Sequence, residues 1–396
     1  MNMSKINEKK LKKYIEDWSQ SGKNEMEYPF CERVKEGWQI FLKGESLLRQ
    51  KIDDMRNGVI KQNSDELVAA CLELLNPVFQ DICFETGYNG EKHELILTAE
   101  GDKAKLFPLI YFQKHAPKEV LERWNIIVGR RPFHEAYSIR MFGQNISMKD
   151  VWVWIEWKEN KTAELFLYCE KLVSFLQENE NDAYWLMLMC ILLDQAVGEI
   201  PSIRYIDGFE LLEQPKDGEG LPLTKLFNCM QKTLGLDTEE MLDAAKYCET
   251  YTAYELKPDE NIKAGWRKDV FVGITSCVPL ISEYLQNESR IMDSFYQDGI
   301  TAGSFSYSVE GFAEENRGKQ ILDFRDQLEA EILEAAGEEA VTFIGGASGI
   351  YCCYLDFIAW NPIKVLEVAA EILKNKKIAL AEFHPFWNDK KGIRLK

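Results

Sequence analysis

Apolar positions recur at helical spacing through the first ninety residues. In EGWQIFLKGESLLRQKIDD they place Trp38, Phe41, Leu42, Leu48 and Ile52 on one stripe. In SDELVAACLELLNPVFQDICFETG the stripe is Leu67, Cys71, Leu74, Leu75 and Val78, with Ser64 as the N-cap and Pro77 as the breaker. The pattern then turns mixed. HELILTAEG predicts a strand, KAKLFPLIYFQKHAPKEVLERW a helix and NIIVGRRPF a strand. YSIRMFGQNISM, DVWVWIEWKENK and AELFLYCEK follow as strands, with ENKT as a hairpin turn. DAYWLMLMCILLDQAVGE is a long apolar helix, and IRYIDGFELL a further strand.

Prolines, glycines and charges replace this periodicity in EQPKDGEGLPLTK, residues 213–225, which marks a boundary. A small helical insert, DTEEMLDAAKYC, leads to the charged linker KPDENIKAGWRK. The last third alternates regularly. DVFVGITSC is a strand, Pro279 opens the helix PLISEYLQNESRIMDSFYQ, and ITAGSFSYSV is a strand. KQILDFRDQLEAEILEAAG is an amphipathic helix with Ile321, Phe324, Leu328 and Ile332 inward and Gly337 past its end. AVTFIGG and IYCCYLDFIAW are strands, PIKVLEVAAEILK a helix and IALAEFHPF a strand.

These elements predict an α+β protein with mainly antiparallel sheets covered by helices. A helical N-terminal region (1–90) precedes an α+β domain (91–212), a linker with a helical insert (213–267) and a ferredoxin-like α+β domain (268–396). Residues 94–134 and 354–387 share a strand, helix, strand order, and both second strands end in a basic residue followed by Pro-Phe. Either each half holds a ferredoxin-like unit or the echo is coincidence.

Charge narrows the classes of function. The net charge is −18, although residues 1–60 hold 12 Lys/Arg against 10 Asp/Glu. A surface that acidic repels phosphate backbones, so nucleic acid is not an expected partner. The N-terminal stretch has no apolar core of a leader, and the longest apolar run, AYWLMLMCILL at 183–193, is too short for a bilayer. Ten cysteines lie scattered with no C-x-x-C, the usage of free thiols in a cytoplasmic protein.

Candidate chemistry is sparse. In FIGGASGIYCCYLDFIAW (343–360) a nucleophile elbow would need Gly-x-Ser-x-Gly before a helix, and a phosphate loop would need a lysine and a helix. The stretch predicts a hairpin with Gly346-Ala347-Ser348-Gly349 as its turn, and Cys352 and Cys353 on opposite faces. His93, His115, His134 and His384 have no ligand spacing, so neither a metal nor a cofactor is expected. Arg130, Arg131 and His134 in GRRPFH form a basic cluster, as solvated strand-end charges or as an anion contact. Trp152 and Trp154 share one strand face, expected to be core and otherwise a partner patch. Asp194 and Glu199 on one helix would stand about 140° apart, poor geometry for shared acid–base work. Residues 310–339 hold ten Asp/Glu and three Lys/Arg, leaving Glu314, Glu315, Asp326, Glu329 and Glu334 at or near solvent. Asp326, Glu329 and Glu334 are the candidate docking residues for a basic protein.

DVFVGITSCVPLISEYL, DGITAGSFSY, ILDFRDQLE and TFIGGASGIYCCYLDFIAW resemble a group of uncharacterised bacterial domains. In order and patterning the same third resembles the ferredoxin-like regulator of ribonuclease activity B, an inhibitor that binds ribonuclease E. ELILTAEGDKAKLFPL and RWNIIVGRRPF resemble the partner domain of the same bacterial two-domain family. The long acidic runs of that inhibitor are absent. The resemblance implies a ferredoxin-like fold and a protein partner. The expectation is a cytoplasmic, non-catalytic protein-binding module of inhibitor or immunity type. The rival is a hydrolase whose site joins residues distant in sequence, with His134, His384 and carboxylates in a deep pocket.

Overall fold

A computed structural model describes residue 13 and residues 28–58, 64–133, 137–141, 144–173, 182–259, 267–387 and 390–396. The chain is mixed α+β and divides into two compact units, residues 1–82 with 248–396, and residues 83–247. The stretch 213–225 therefore lies inside the second unit, and the N-terminal helices belong with the C-terminal sheet. A helix with one apolar stripe has no core of its own and must cover something else.

The first unit contains helices α1 (Phe30–Arg56) and α2 (Ser64–Leu75). Trp38, Phe41, Leu48 and Ile52 are buried as their spacing predicts, and α2 ends just before Pro77. Phe30 anchors α1 by packing against Trp360 and Phe79, at ring separations of 5.6 and 5.7 Å. The amides of Phe30 and Cys31 donate to the carbonyls of Gly299 and Trp360, both at 3.1 Å.

The second unit is built on two hairpins, each extended by a helical crossover. β1 (Cys83–Tyr88) pairs antiparallel with β2 (His93–Thr98), α3 (Leu106–Lys114) crosses over, and β3 (Trp124–Val128) joins β2 in parallel. A small hairpin, β4 (Ser138–Met141) with β5 (Gln144–Ser147), follows. β6 (Trp152–Trp157) and β7 (Ala163–Tyr168) then pair antiparallel across the expected turn. Helices α4 (Asp182–Val197) and α5 (Glu199–Tyr205) lead to β8 (Ile206–Leu212), parallel to β7. β9 (Leu221–Pro222) closes the other edge of β6 and α6 (Leu226–Leu234) follows it. The core here joins Val153, Leu165 and Leu167 to Leu188, Met189 and Leu192.

The tryptophan face is not core. Val153 is fully buried, so the alternation turns Trp152 outward at 44% exposure and leaves Trp154 half-buried. The indole of Trp154 donates to the carbonyl of Gly218 at 3.3 Å. No single described helix is long and apolar enough to cross a membrane; α4 and α5 are bent by 107° at Gly198.

On its return the first unit forms one seven-stranded sheet. β10 (Thr252–Glu255), β11 (Val270–Thr275), α7 (Val278–Gln286), α8 (Arg290–Gln297) and β12 (Thr301–Ser308) come first. α9 (Arg317–Ala336), β13 (Val341–Gly349), β14 (Cys352–Ala359), α10 (Pro362–Asn375), β15 (Ala381–Pro385) and β16 (Ile393–Arg394) complete it. The spatial order is β10-β11-β13-β14-β12-β15-β16, antiparallel at every pairing. Within it, β12-α9-β13-β14-α10-β15 has the order fourth, first, third, second, which is the ferredoxin-like βαββαβ arrangement. The internal echo does not extend to topology. β2 and β3 are direct parallel neighbours, whereas β12 separates β14 from β15.

The hairpin at 343–360 forms, but its turn is Ile350–Tyr351. The glycines lie within β13 instead. Gly345 has φ +130 at a register shift, where a Cβ would strike the carbonyl of Ile274. The two faces of the sheet differ. On one, Phe305 stacks on Phe357 at 4.3 Å, and Tyr307 meets Phe324 of α9 at 4.9 Å. Leu328 and Ile332 are buried there; Ile321 and Phe324 are half-buried. The other face carries Ser304, Asp356 and His384, in direct cross-strand register and all buried.

Candidate functional site

The acidic helix divides its charges between solvent and sheet. The side chain of Asp326 is 71% exposed, with the guanidinium of Arg325 at 3.6 Å. Glu314, Glu315, Asp323 and Glu334 are exposed as well. Glu329 is half-buried, and burial pushes its carboxyl up despite nearby Arg325. Of the three candidate docking residues, two face solvent and the third leans into the protein.

The basic cluster of the second unit disperses. Arg131 is exposed and 3.8 Å from Glu239, and His134 lies outside the described residues. Arg130 instead turns into a set of carboxylates from its own unit. Its Nε donates to Glu85 at 2.5 Å, and Nη2 donates to Glu100. Glu199 is 1% exposed and accepts the amides of Ala99 at 2.9 Å and Arg130 at 3.2 Å. The helix carrying Asp194 and Glu199 is not continuous. Gly198, with φ +88, breaks it, and the amide of Glu199 restarts the chain by donating to the carbonyl of Arg130 at 3.0 Å. Past the break Glu199 reaches the backbone amide of Arg130, and the positive charge of Arg130 also acts on Asp194. Burial raises both carboxyls, and each is raised further by another carboxylate, Glu199 by Asp194 and Asp194 by Glu100. Burial also works on Glu100, but the hydrogen bonds from Arg130 and Thr98 hold that carboxyl low. An incoming anion would meet Arg130 already engaged by carboxylates.

A second polar assembly, absent from the sequence reading, lies in the first unit. Arg267 is 3% exposed; its Nη1 and Nη2 donate to the two oxygens of fully buried Asp356 at 2.6 and 3.1 Å. Nη2 also meets the hydroxyl of Tyr254. The amide of Arg267 donates to the hydroxyl of Tyr354 at 3.1 Å, which donates in turn to Asp269 at 2.7 Å. The other oxygen of Asp269 accepts the amides of Tyr351 and Cys352, both at 2.9 Å. This carboxylate fixes the hairpin turn. The residues that meet here are about ninety positions apart, and no local motif announces them. The one available signal was a lone aspartate inside the apolar strand CCYLDFIA.

Ser304 stands between Asp356 and His384 across three neighbouring strands. That row holds the residue types of a hydrolytic triad in the wrong order. Base and orienting carboxylate must touch, yet here β12 keeps them two strand spacings apart, about 9.5 Å. The carboxylate of Asp356 is bound by Arg267, and burial holds the imidazole of His384 neutral with its pKa near 3. Glu382 does approach the ring, at 3.8 Å, but Ser304 and His384 are only 1% and 3% exposed. Substrate cannot reach them in this conformation. All ten cysteines are free thiols, and burial pushes those of Cys352 and Cys353 up to about 12 and 11. Among the described residues no cluster of His, Cys, Asp and Glu could hold a metal ion.

Beside Arg267 the surface opens into a cleft of about 450 Å³. Leu256, Val270, Tyr284 and Leu285 form its apolar wall, and Lys257, Lys268 and Asp259 carry its charges. In comparisons with known proteins, no family model, no curated protein and no solved structure matches the chain.

Proposed function

We propose that the chain is a protein-binding module without chemistry of its own, which docks a basic protein on the outward face of α9. The observation that carries this reading is the division of α9. Leu328, Ile332 and Ala336 bury one side in the sheet, while Asp323, Asp326 and Glu334 stand exposed on the other. The ferredoxin-like strand order, together with the likeness to the ribonuclease regulator, supports an inhibitor or immunity type of function. Ten free cysteines suit a reducing cytoplasm. The hydrolase alternative is weakened by the closed, misordered row at Ser304.

The test is charge reversal at Asp326 and Glu334, leaving half-buried Glu329 alone. Exposed charges of one sign raise association rates by roughly tenfold or more at low salt, and contribute little to stability. With a partner captured from the native host, Asp326→Lys with Glu334→Lys should slow association about tenfold at low salt and leave the melting temperature unchanged. An association rate equal to that of the unaltered chain would remove α9 as the docking face.

A further inference from the structure

The four-stranded sheet of the second unit turns one face to the core and the other outward. On the outward face β6, β7 and β8 set side chains in three cross-strand rows. Trp152 stands beside Tyr168 and Leu212, Trp154 beside Phe166 and Glu210, and Glu156 beside Glu164 and Gly208. One end of the face is therefore aromatic and the other acidic. Trp152 is 44% exposed, while Trp154, Phe166 and Tyr168 are half-buried. Four aromatic rings on a face that the core does not use mark a surface for interaction.

A cation of the chain itself already occupies part of this face. The loop after β8 returns past Phe166 and Trp154, and the ammonium of Lys216 stands 3.4 Å from the centre of the Phe166 ring. The same ammonium donates to Glu156 at 2.5 Å. The loop also fixes Trp154, whose indole donates to the carbonyl of Gly218 and lies against Gly220, where a Cβ would come within 2.8 Å of the ring. It leaves Trp152 exposed. Residues 152–168 and 206–220 together hold eight Asp/Glu and three Lys. A ring beside a carboxylate attracts a cation through its quadrupole and through the neighbouring charge. Exposed Glu210, in register with Phe166, supplies a carboxylate next to the aromatic row.

We propose that the aromatic end of this face docks an arginine side chain of a partner protein. The guanidinium lies against Trp152 and Tyr168 and turns its N–H groups to Glu210, as the ammonium of Lys216 is seated between Phe166 and Glu156. A planar guanidinium matches ring faces and a carboxylate better than an ammonium does. Single-stranded nucleic acid also stacks on aromatic platforms, but its phosphates would meet the acidic excess. This face belongs to the second unit and α9 to the first, so either site can fail without the other.

Fluorescence anisotropy of the full chain with a dye-labelled peptide of alternating arginine and serine tests this. Salt at about 0.15 M screens diffuse attraction to an acidic surface beyond about 8 Å. A control peptide with citrulline at every arginine keeps the planar side chain and drops the charge. The arginine peptide should bind about tenfold more tightly than the citrulline peptide. Trp152→Ala and Glu210→Gln should each weaken it by about two- to fivefold. Glu210 is exposed, so its variant keeps the test decisive even where Trp152→Ala fails to fold. The chain with Asp326→Lys and Glu334→Lys should bind the peptide as the unaltered chain does, which separates this face from α9. Absence of binding, equal affinity for the two peptides, unchanged affinity in Glu210→Gln and folded Trp152→Ala, or loss of binding on reversal of α9 would overturn the proposal. Trp152-dependent self-association in sedimentation, with no peptide bound, would assign the face to a second copy instead.

Discussion

At Arg130 the guanidinium binds Glu85 and Glu100 while the backbone amide donates to Glu199, and the carboxyls of Glu100, Glu199 and Asp194 around it shift in opposite directions. Glu100 is held low by its hydrogen bonds; Asp194 and Glu199 are pushed up by burial. A carboxyl raised in the folded state stabilises the fold below its unfolded pKa and loses that contribution as pH rises through the folded value. Asp194→Asn removes such a group. Relative to the unaltered chain, this variant should therefore gain stability as pH climbs above the ordinary carboxylate range. Urea unfolding at a series of pH values measures the difference. A stability difference that stays constant with pH would mean that Asp194 titrates as in the unfolded chain. Sequence gave Arg130 as a candidate, because a strand-end arginine in an acidic protein stands out. Asp194 and Glu199 were legible too, but not their placement near Arg130, since Gly198 breaks a helix whose apolar pattern looked unbroken. Arg267 was hidden more fully, because its partner Asp356 comes from a strand 89 positions away.

Among the elements, the last third was the most legible. Strands there alternate, helices carry one stripe, and Pro279 and Gly337 punctuate them as their backbone chemistry requires. Two boundaries were misplaced for physical reasons. The helix predicted from 279 to 297 breaks at Asn287, which takes the left-handed conformation at φ +62. The hairpin turn moved from the glycines to Ile350–Tyr351 because Asp269 supplies acceptors there. Local preference pointed to glycine; a carboxylate about eighty positions upstream decided otherwise. Replacing Asp269 with Ala should then cost about 3 kcal/mol or more, since it strips acceptors from two amides and the buried hydroxyl of Tyr354. Ser348→Ala, in β13 near the supposed turn, should cost under about 1 kcal/mol. Chemical unfolding of the two variants ranks them, and equal costs would show that the glycine-rich stretch, not Asp269, sets the hairpin.

For the whole molecule, the consequential feature is that the chain leaves its first unit and returns to it. The helices described at Phe30–Arg56 and Ser64–Leu75 belong to a unit whose sheet begins after residue 248. Linear reading could not show this, because periodicity reveals that a helix has an apolar face and not which surface that face meets. Phe30 carries the connection. It is fully buried against Phe79 and Trp360, and its amide reaches Gly299 at the start of β12. Truncating a buried phenylalanine costs about 3–5 kcal/mol, through lost transfer energy and the cavity left behind. If residues 1–82 and 248–396 fold together, Phe30→Ala should loosen strands far from it in sequence. Hydrogen exchange should accelerate at amides of β12 and β14, while those of β6 and β7 in the other unit keep their protection. An independent N-terminal helical region predicts the opposite pattern, with faster exchange confined to α1 and α2. Exchange resolved to single amides separates the two outcomes. Unchanged protection in β12 and β14 would show that the sheet does not depend on α1.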